Sequence, residues 1–159
     1  MFSRVVKNDE YYTKKESWAD IAQYLPRDKV IWECFYSHNS KSATYLRELG
    51  FEVIFEPVDF FESNLGEIIV SNPPFSMKKE VFTRLKELDK PFVMLVPSGT
   101  IQTKYFKELF ENDNNIQLIV PWKKRQFDSP IYNLHPRGCS FNTLYVCYKM
   151  NLPKDVILL

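Results

Sequence analysis

Asn72, Pro73, Pro74 and Phe75 follow directly on the run Glu67-Ile68-Ile69-Val70-Ser71. Within one short loop these four residues offer a side-chain amide, a backbone carbonyl and an aromatic face. An exocyclic amine on a flat heterocycle calls for those groups. Asn72 and the Pro73 carbonyl can accept its two N–H hydrogens, and Phe75 can stack on the ring. Such an amine is a poor nucleophile, because its lone pair is delocalised into the ring. Two acceptors would pull the nitrogen toward tetrahedral geometry and localise that pair, through orientation and electrostatics without a strong base. The bare tetrapeptide equally fits an ordinary loop after a strand, so its surroundings decide between the two.

Those surroundings favour chemistry. Glu67 to Val70 is short, apolar and β-branched, the signature of a buried parallel strand. Two prolines end it, since neither can donate a ladder hydrogen bond. Beyond the loop, Val81, Phe82, Leu85 and Leu88 recur at helical spacing and predict a helix over 77–88. A rigid loop at the carboxyl end of a strand is where open α/β sheets bind ligands. Other apolar runs predict strands at 30–35, 51–55, 92–96, 117–120 and 143–149. Helices are predicted up to Leu25, over 42–49 (ending at Gly50), and over 102–110. In the first of these, Trp18, Ile21, Ala22 and Leu25 share one face, after an extended segment at 10–13. Strands alternating with helices imply βαβ units and a parallel sheet. The last two strands have no helix between them and should pair antiparallel.

Composition narrows the field further. The chain has 159 residues, 45% hydrophobic and 16% aromatic, which predicts one well-buried domain over 1–159 and excludes a disordered chain. No apolar run approaches the ~20 residues needed to cross a bilayer, and Met1-Phe2-Ser3-Arg4 lacks a signal-peptide core. The expectation is a cytosolic or nuclear protein with no membrane partner. Cys34, Cys139 and Cys147, with His38 and His135, match no zinc spacing and read as reduced thiols. A net charge of +1 neither supports nor excludes nucleic acid. Any grip on phosphates must come from a local patch, of which Lys123-Lys124-Arg125, with Arg137 further on, is the clearest. That triplet also fits a plain solvated face.

The turn after the first predicted core strand, from Ile31 to Ser42, contains no glycine, although loops that cradle nucleotide-type cofactors usually use several. Ser37, Asn39 and Ser40 can substitute in part, since Asn tolerates positive φ and Ser crowds little. Glu33 ends the strand where a carboxylate can receive a cofactor's amino group, or simply cap the backbone that follows.

Taken together, these segments resemble S-adenosylmethionine-dependent N6-adenine methyltransferases, and most closely the small phage-type DNA enzymes. Asn72-Pro73-Pro74-Phe75-Ser76 resembles their catalytic loop. Tyr12-Thr13 resembles their N-terminal Tyr-Thr-Pro motif, with Lys14 in place of proline. Trp32-Glu33-Cys34-Phe35 resembles their first-strand motif, and Leu95-Val96-Pro97 and Arg125-Gln126-Phe127 resemble later elements. Glu56 falls where an acid meets the cofactor ribose, and Asp59-Phe60-Phe61 where an Asp-Phe pair meets its adenine. The resemblance implies a class I methyltransferase fold, Rossmann-like, with a mostly parallel sheet and an antiparallel terminal strand. It implies S-adenosyl-L-methionine as cofactor, held by Tyr12, Thr13, Glu33, Phe35, Glu56, Asp59, Phe60 and Asn72. It implies methylation of adenine N6 in DNA, with Asn72, Pro73, Pro74 and Phe75 as the catalytic loop. The same reaction on RNA, or a methyltransferase-fold binding subunit that has lost catalysis, are the alternatives. Tyr105, Phe106 and Phe127 are further candidate walls. Target choice would come from Ser98 to Tyr105, the 121–140 loop, or a partner chain or second copy.

Overall fold

The predicted apolar runs assemble into one sheet in a computed structural model that describes residues 12–124, 127–128 and 141–159. In chain order the strands are β1 (Tyr12–Thr13), β2 (Ile31–Trp32), β3 (Val53–Ile54), β4 (Ile68–Ser71), β5 (Phe92–Pro97), β6 (Ile116–Val120), β7 (Phe127–Asp128), β8 (Thr143–Tyr148) and β9 (Val156–Leu158). The helices are α1 (Lys15–Ala19), α2 (Ser42–Glu48), α3 (Lys78–Leu88) and α4 (Lys104–Phe110). Seven strands form the main sheet in the order β3-β2-β4-β5-β8-β6-β9, while β1 and β7 pair as a separate antiparallel ribbon. Strands β3, β2, β4 and β5 are mutually parallel, and β8 runs antiparallel to both β5 and β6. The α/β class, the mostly parallel sheet and the antiparallel pairing of the strands at 117–120 and 143–149 are as the sequence predicts.

Alternation along the strands splits the core into two layers. On one face Ile68, Val70, Val93, Leu95, Tyr145 and Cys147 pack with Trp18 of α1 and Leu46 of α2. On the other, Ile69, Phe92, Met94, Leu144 and Val146 pack with Phe82 and Leu85 of α3 and Phe106 and Phe110 of α4. Phe82 is fully buried, edge-on to Phe92, Phe106 and Phe110. Cys34 and Cys147 are buried free thiols, and Cys139 lies outside the described residues. No helix among the described residues is long and apolar enough to cross a membrane.

Three of the differences from expectation bear on how the sheet is bounded. The helix expected to run up to Leu25 stops at Ala19, and Ala22–Tyr24 continues as a tight 3-10 turn. Bonds from Ile21 N to Trp18 O and from Tyr24 N to Ile21 O wind this stretch more tightly, yet bury the expected apolar set. The strand expected at 30–35 pairs only over Ile31–Trp32, because the chain turns out of the sheet at Glu33. The third is β9, which extends the sheet beyond β6 and carries only one buried side chain, Ile157.

Two groups fix where β4 starts. Lys90 Nζ donates to Asn64 Oδ1, Leu65 O and Gly66 O at 2.6, 2.5 and 3.0 Å, and lies over the Trp32 ring. Gly66 has φ of +66°, and a Cβ there would stand 3.0 Å from Trp32 Cβ and 3.1 Å from Val30 O. Both the backbone conformation and the close approach to β2 exclude a side chain. Gly66→Ala is therefore expected to lower stability by about 1–3 kcal/mol in denaturant titration. Gly99→Ala, with open space around it, should stay within about 0.5 kcal/mol of the parent.

Candidate functional site

The strand order reverses between β2 and β4. From β2 the next strand, β3, lies to one side, whereas β4 and then β5 lie to the other. Adjacent loops leave in opposite directions at such a point and open a crevice at the carboxyl ends of the strands. Glu33 follows β2, and Ser71-Asn72 ends β4, so the two candidate motifs meet there.

Their meeting is a hydrogen bond. The Ser71 hydroxyl donates to Glu33 Oε1, and the same oxygen accepts from Phe35 N at 3.2 Å. Glu33 is 2% exposed. Burial pushes its carboxyl up to about 7, against the opposing effect of the bonds from Ser71 and Phe35 N. The carboxyl thus does what a backbone cap does and also ties β2 to β4. Beside it, burial pushes the Cys34 thiol well above its ordinary value, with the Glu33 charge adding to the effect.

The glycine-free turn is built by hydroxyls. Asn39 N donates to Ser37 Oγ at 3.3 Å, Ser42 N to Ser40 Oγ at 3.4 Å, and Ser40 N to Ser37 O at 3.2 Å. No residue in it has positive φ, so Asn39 does not use the left-handed freedom expected of it. Tyr12 OH lies 3.2 Å from Ser37 Oγ, which brings β1 to this turn. Thr13 is buried, and its Oγ1 has no hydrogen-bond partner among the described residues. Glu56 is exposed just beyond β3, and Asp59 Oδ1 accepts from Phe61 N at 2.9 Å, closing a turn. Phe35 and Phe60 are buried, with ring centroids 4.9 Å apart, and Phe60 also packs on Trp32 and Phe61.

In the loop after β4, Pro73 and Pro74 are buried while Asn72 and Phe75 are half-buried, with Asn72 Oδ1 turned away from solvent. Met77 N bonds to Pro74 O at 3.1 Å, so a 3-10 turn over Phe75–Met77 leads into α3. No backbone N–H among the described residues bonds to the Pro73 carbonyl. Phe75 stands edge-on to Phe141 at 5.2 Å and to Phe127 at 6.3 Å, and those two rings lie 6.0 Å apart. Of the three further candidate walls, Phe127 comes to the loop. Phe106 is core, and Tyr105 is half-buried on α4. The pairing of Thr13 with Phe127 joins the tyrosine-threonine segment to this aromatic cluster. Sequence reasoning missed Phe141, Ser71 and the β1–β7 ribbon. Phe141 carried no local signal, since Asn142 and Thr143 separate it from the apolar run of β8. Lys123 and Lys124 are exposed at the end of β6, at the same sheet edge, while Arg125 and Arg137 lie outside the described residues.

No family model and no curated protein matches the chain. Among solved structures it is similar to a modification subunit of a putative type I restriction enzyme from Vibrio vulnificus YJ016. The TM-score is 0.51 at 13% identity, over 90% of this chain and 45% of that one. It is also aligned with TrmN from Thermus thermophilus, at a TM-score of 0.39 and 12% identity, over 85% of this chain and 48% of that one. The chain therefore spans about half the length of these structures. The likeness to the first shows the fold alone, a Rossmann-like, mostly parallel α/β sheet.

Because the Glu33 carboxyl titrates higher in the folded chain than its ordinary 4.5, its protonated form is the one folding favours. Its contribution is complete below pH 4.5 and is lost as the pH rises toward 7. Glu33→Gln is expected to remove a decline of up to about 1.4 kcal/mol per pH unit across that window, read by denaturant titration at a series of pH values. A parent whose stability is flat there, or a Gln variant with the same decline, contradicts this assignment.

Proposed function

We propose that this chain transfers a methyl group from S-adenosyl-L-methionine to the N6 amine of adenine in DNA. One observation carries the reading. The Asn72-Pro73-Pro74-Phe75 loop leaves the carboxyl end of β4 at the point where the strand order reverses, hydrogen-bonded through its neighbour Ser71 to the end of β2. Asn72 Oδ1 and the Pro73 carbonyl are the acceptors for the target amine. The two buried prolines fix the loop, so little reorganisation remains when the base arrives. Phe75 supplies the stacking face, with Phe127 and Phe141 as its edge-on supports. In a duplex the adenine must first be extruded at a cost of a few kcal/mol, part of which stacking on Phe75 recovers.

The residues around the end of β2 fit the cofactor. They comprise hydroxyls on Tyr12, Thr13 and Ser37, acids at Glu33, Glu56 and Asp59, and an aromatic group of Phe35 and Phe60. Carboxylates suit ribose hydroxyls and an ammonium, and the orphan Thr13 hydroxyl has hydrogen-bonding capacity to spare. When bound, the cofactor supplies an electrophilic methyl on a sulfonium. The residues of this chain hold it, exclude water and orient the amine. Lys123, Lys124, Arg125 and Arg137 are assigned to phosphates flanking the target. A partner chain or second copy is the proposed source of further sequence choice, and 1–159 is proposed to act as one methyltransferase domain.

Transfer of labelled methyl groups to DNA, RNA and protein tests this reading. Asn72→Ala is expected to abolish transfer to DNA while leaving S-adenosylmethionine affinity within about threefold of the parent, since the side chain is assigned to the amine. Normal turnover in that variant ends the proposed mechanism. Transfer to RNA alone moves the substrate, and cofactor binding without transfer to any of the three favours the binding-subunit alternative.

A further inference from the structure

Beyond the crevice between β2 and β4, the same sheet edge holds a second cavity of about 190 Å³, between the carboxyl ends of β5 and β6 and the start of β8. Ser98, Lys123, Lys124, Asn142 and Thr143 supply its polar lining, with Trp122, 83% exposed, at its rim. The chemistry of that lining is one-sided. It offers two ammonium groups, two hydroxyls and an amide, and no carboxylate among the described residues. A larger cavity that shares Pro121, Trp122 and Lys123 with it is lined also by Glu16 and Asp20. The bond from Ser98 N to Asn142 O, 2.9 Å, fixes the two loops that form one wall.

Thr143 gives the cavity its second, independent mark. It is 4% exposed at the first position of β8, paired with Pro97, and its Oγ1 has no hydrogen-bond partner among the described residues. A buried hydroxyl left unmatched is costly, and valine would fill the same strand position without that cost. A tetrahedral oxyanion accepts several hydrogen bonds and needs cationic neighbours when drawn into a partly closed site. Adjacent strands lie about 4.8 Å apart, so β8 stands about 10 Å and β6 about 14 Å along the edge from Asn72.

We propose that this cavity seats one phosphodiester of the nucleic-acid strand that carries the target base, with Thr143 Oγ1, Asn142 and Ser98 as donors and Lys124 as the charge. The proposal deepens the reading above and rests on it. It makes the β5–β8–β6 edge the register mark that sets how far along the strand the extruded base lies. Thr143 is then a binding residue that the strand pattern of β8 conceals.

Anisotropy titrations of mixed-sequence DNA and RNA, single-stranded and duplex, between 50 and 200 mM salt decide it. Thr143→Val is expected to weaken the preferred nucleic acid about tenfold with the salt slope unchanged. The same substitution should raise the thermal midpoint of the free protein, an effect opposite to that of a structural hydroxyl. Lys124→Ala should lower the slope by about one. The double variant should lose less than the sum of the two, because both groups hold one phosphate. Unchanged affinity in Thr143→Val, fully additive losses, or a fall in both midpoint and affinity overturns the cavity assignment alone. Inorganic phosphate that saturates the parent while neither variant alters nucleic-acid binding makes free phosphate the ligand and also overturns it. A parent that binds neither DNA nor RNA overturns the functional reading together with the cavity.

Discussion

A buried carboxyl, Glu33, accepts the Ser71 hydroxyl across the gap between two neighbouring strand ends, and the rest of the candidate site is placed relative to that bond. Ser71 is the last paired residue of β4 and Asn72 the first to leave it. Glu33 is the first residue past β2, and its own carboxyl turns the chain out of the sheet by capping Phe35 N. The bond therefore ties the turn assigned to the cofactor to the loop assigned to the target base. An ionised carboxyl in this surrounding is costly, which is why burial moves it so far from its ordinary range.

The sheet holds this junction rigid. Large side chains fill both faces, so β4 and β5 are buried on either side and cannot shift without opening the core. Gly66 and the Lys90 ammonium set the approach to β4 from below, and the paired prolines set its departure above. The β1–β7 ribbon then places Phe127 against Phe75 and against the core layer that holds Trp18 and Leu46. The strand ends thus carry the polar groups Glu33 and Ser71, and Phe75, Phe127 and Phe141 form an aromatic cluster beside them.

Much of this was legible in the residues. The apolar runs that became β4, β5, β6 and β8 are continuous and β-rich, and the helical spacing of Val81, Phe82 and Leu85 is unambiguous. The Asn72-Pro73-Pro74-Phe75 loop was visible because two prolines after such a run leave few structural options. Less legible were features that depend on which strands become neighbours. Ser71 is an ordinary strand residue until β2 and β4 are adjacent, and only then does its hydroxyl meet Glu33. Phe141 and Phe127 are separated by a segment with no periodicity, so nothing local joins them to Phe75. The β9 strand was invisible because Ile157 alone is buried, too short a pattern to register. In the glycine-free turn Ser37 and Ser40 satisfy the backbone as their chemistry allows, and only the left-handed conformation expected of Asn39 is not used.

The central claim is that the crevice between the ends of β2 and β4 holds S-adenosylmethionine beside Asn72. Isothermal calorimetry of S-adenosylmethionine into the purified chain tests it most directly, with thermal unfolding at saturating cofactor as the companion readout. The account predicts one site per chain and a raised unfolding midpoint, because a ligand that binds only the folded state stabilises it in proportion to the logarithm of its concentration. The absence of both a binding heat and a midpoint shift at millimolar cofactor would contradict it.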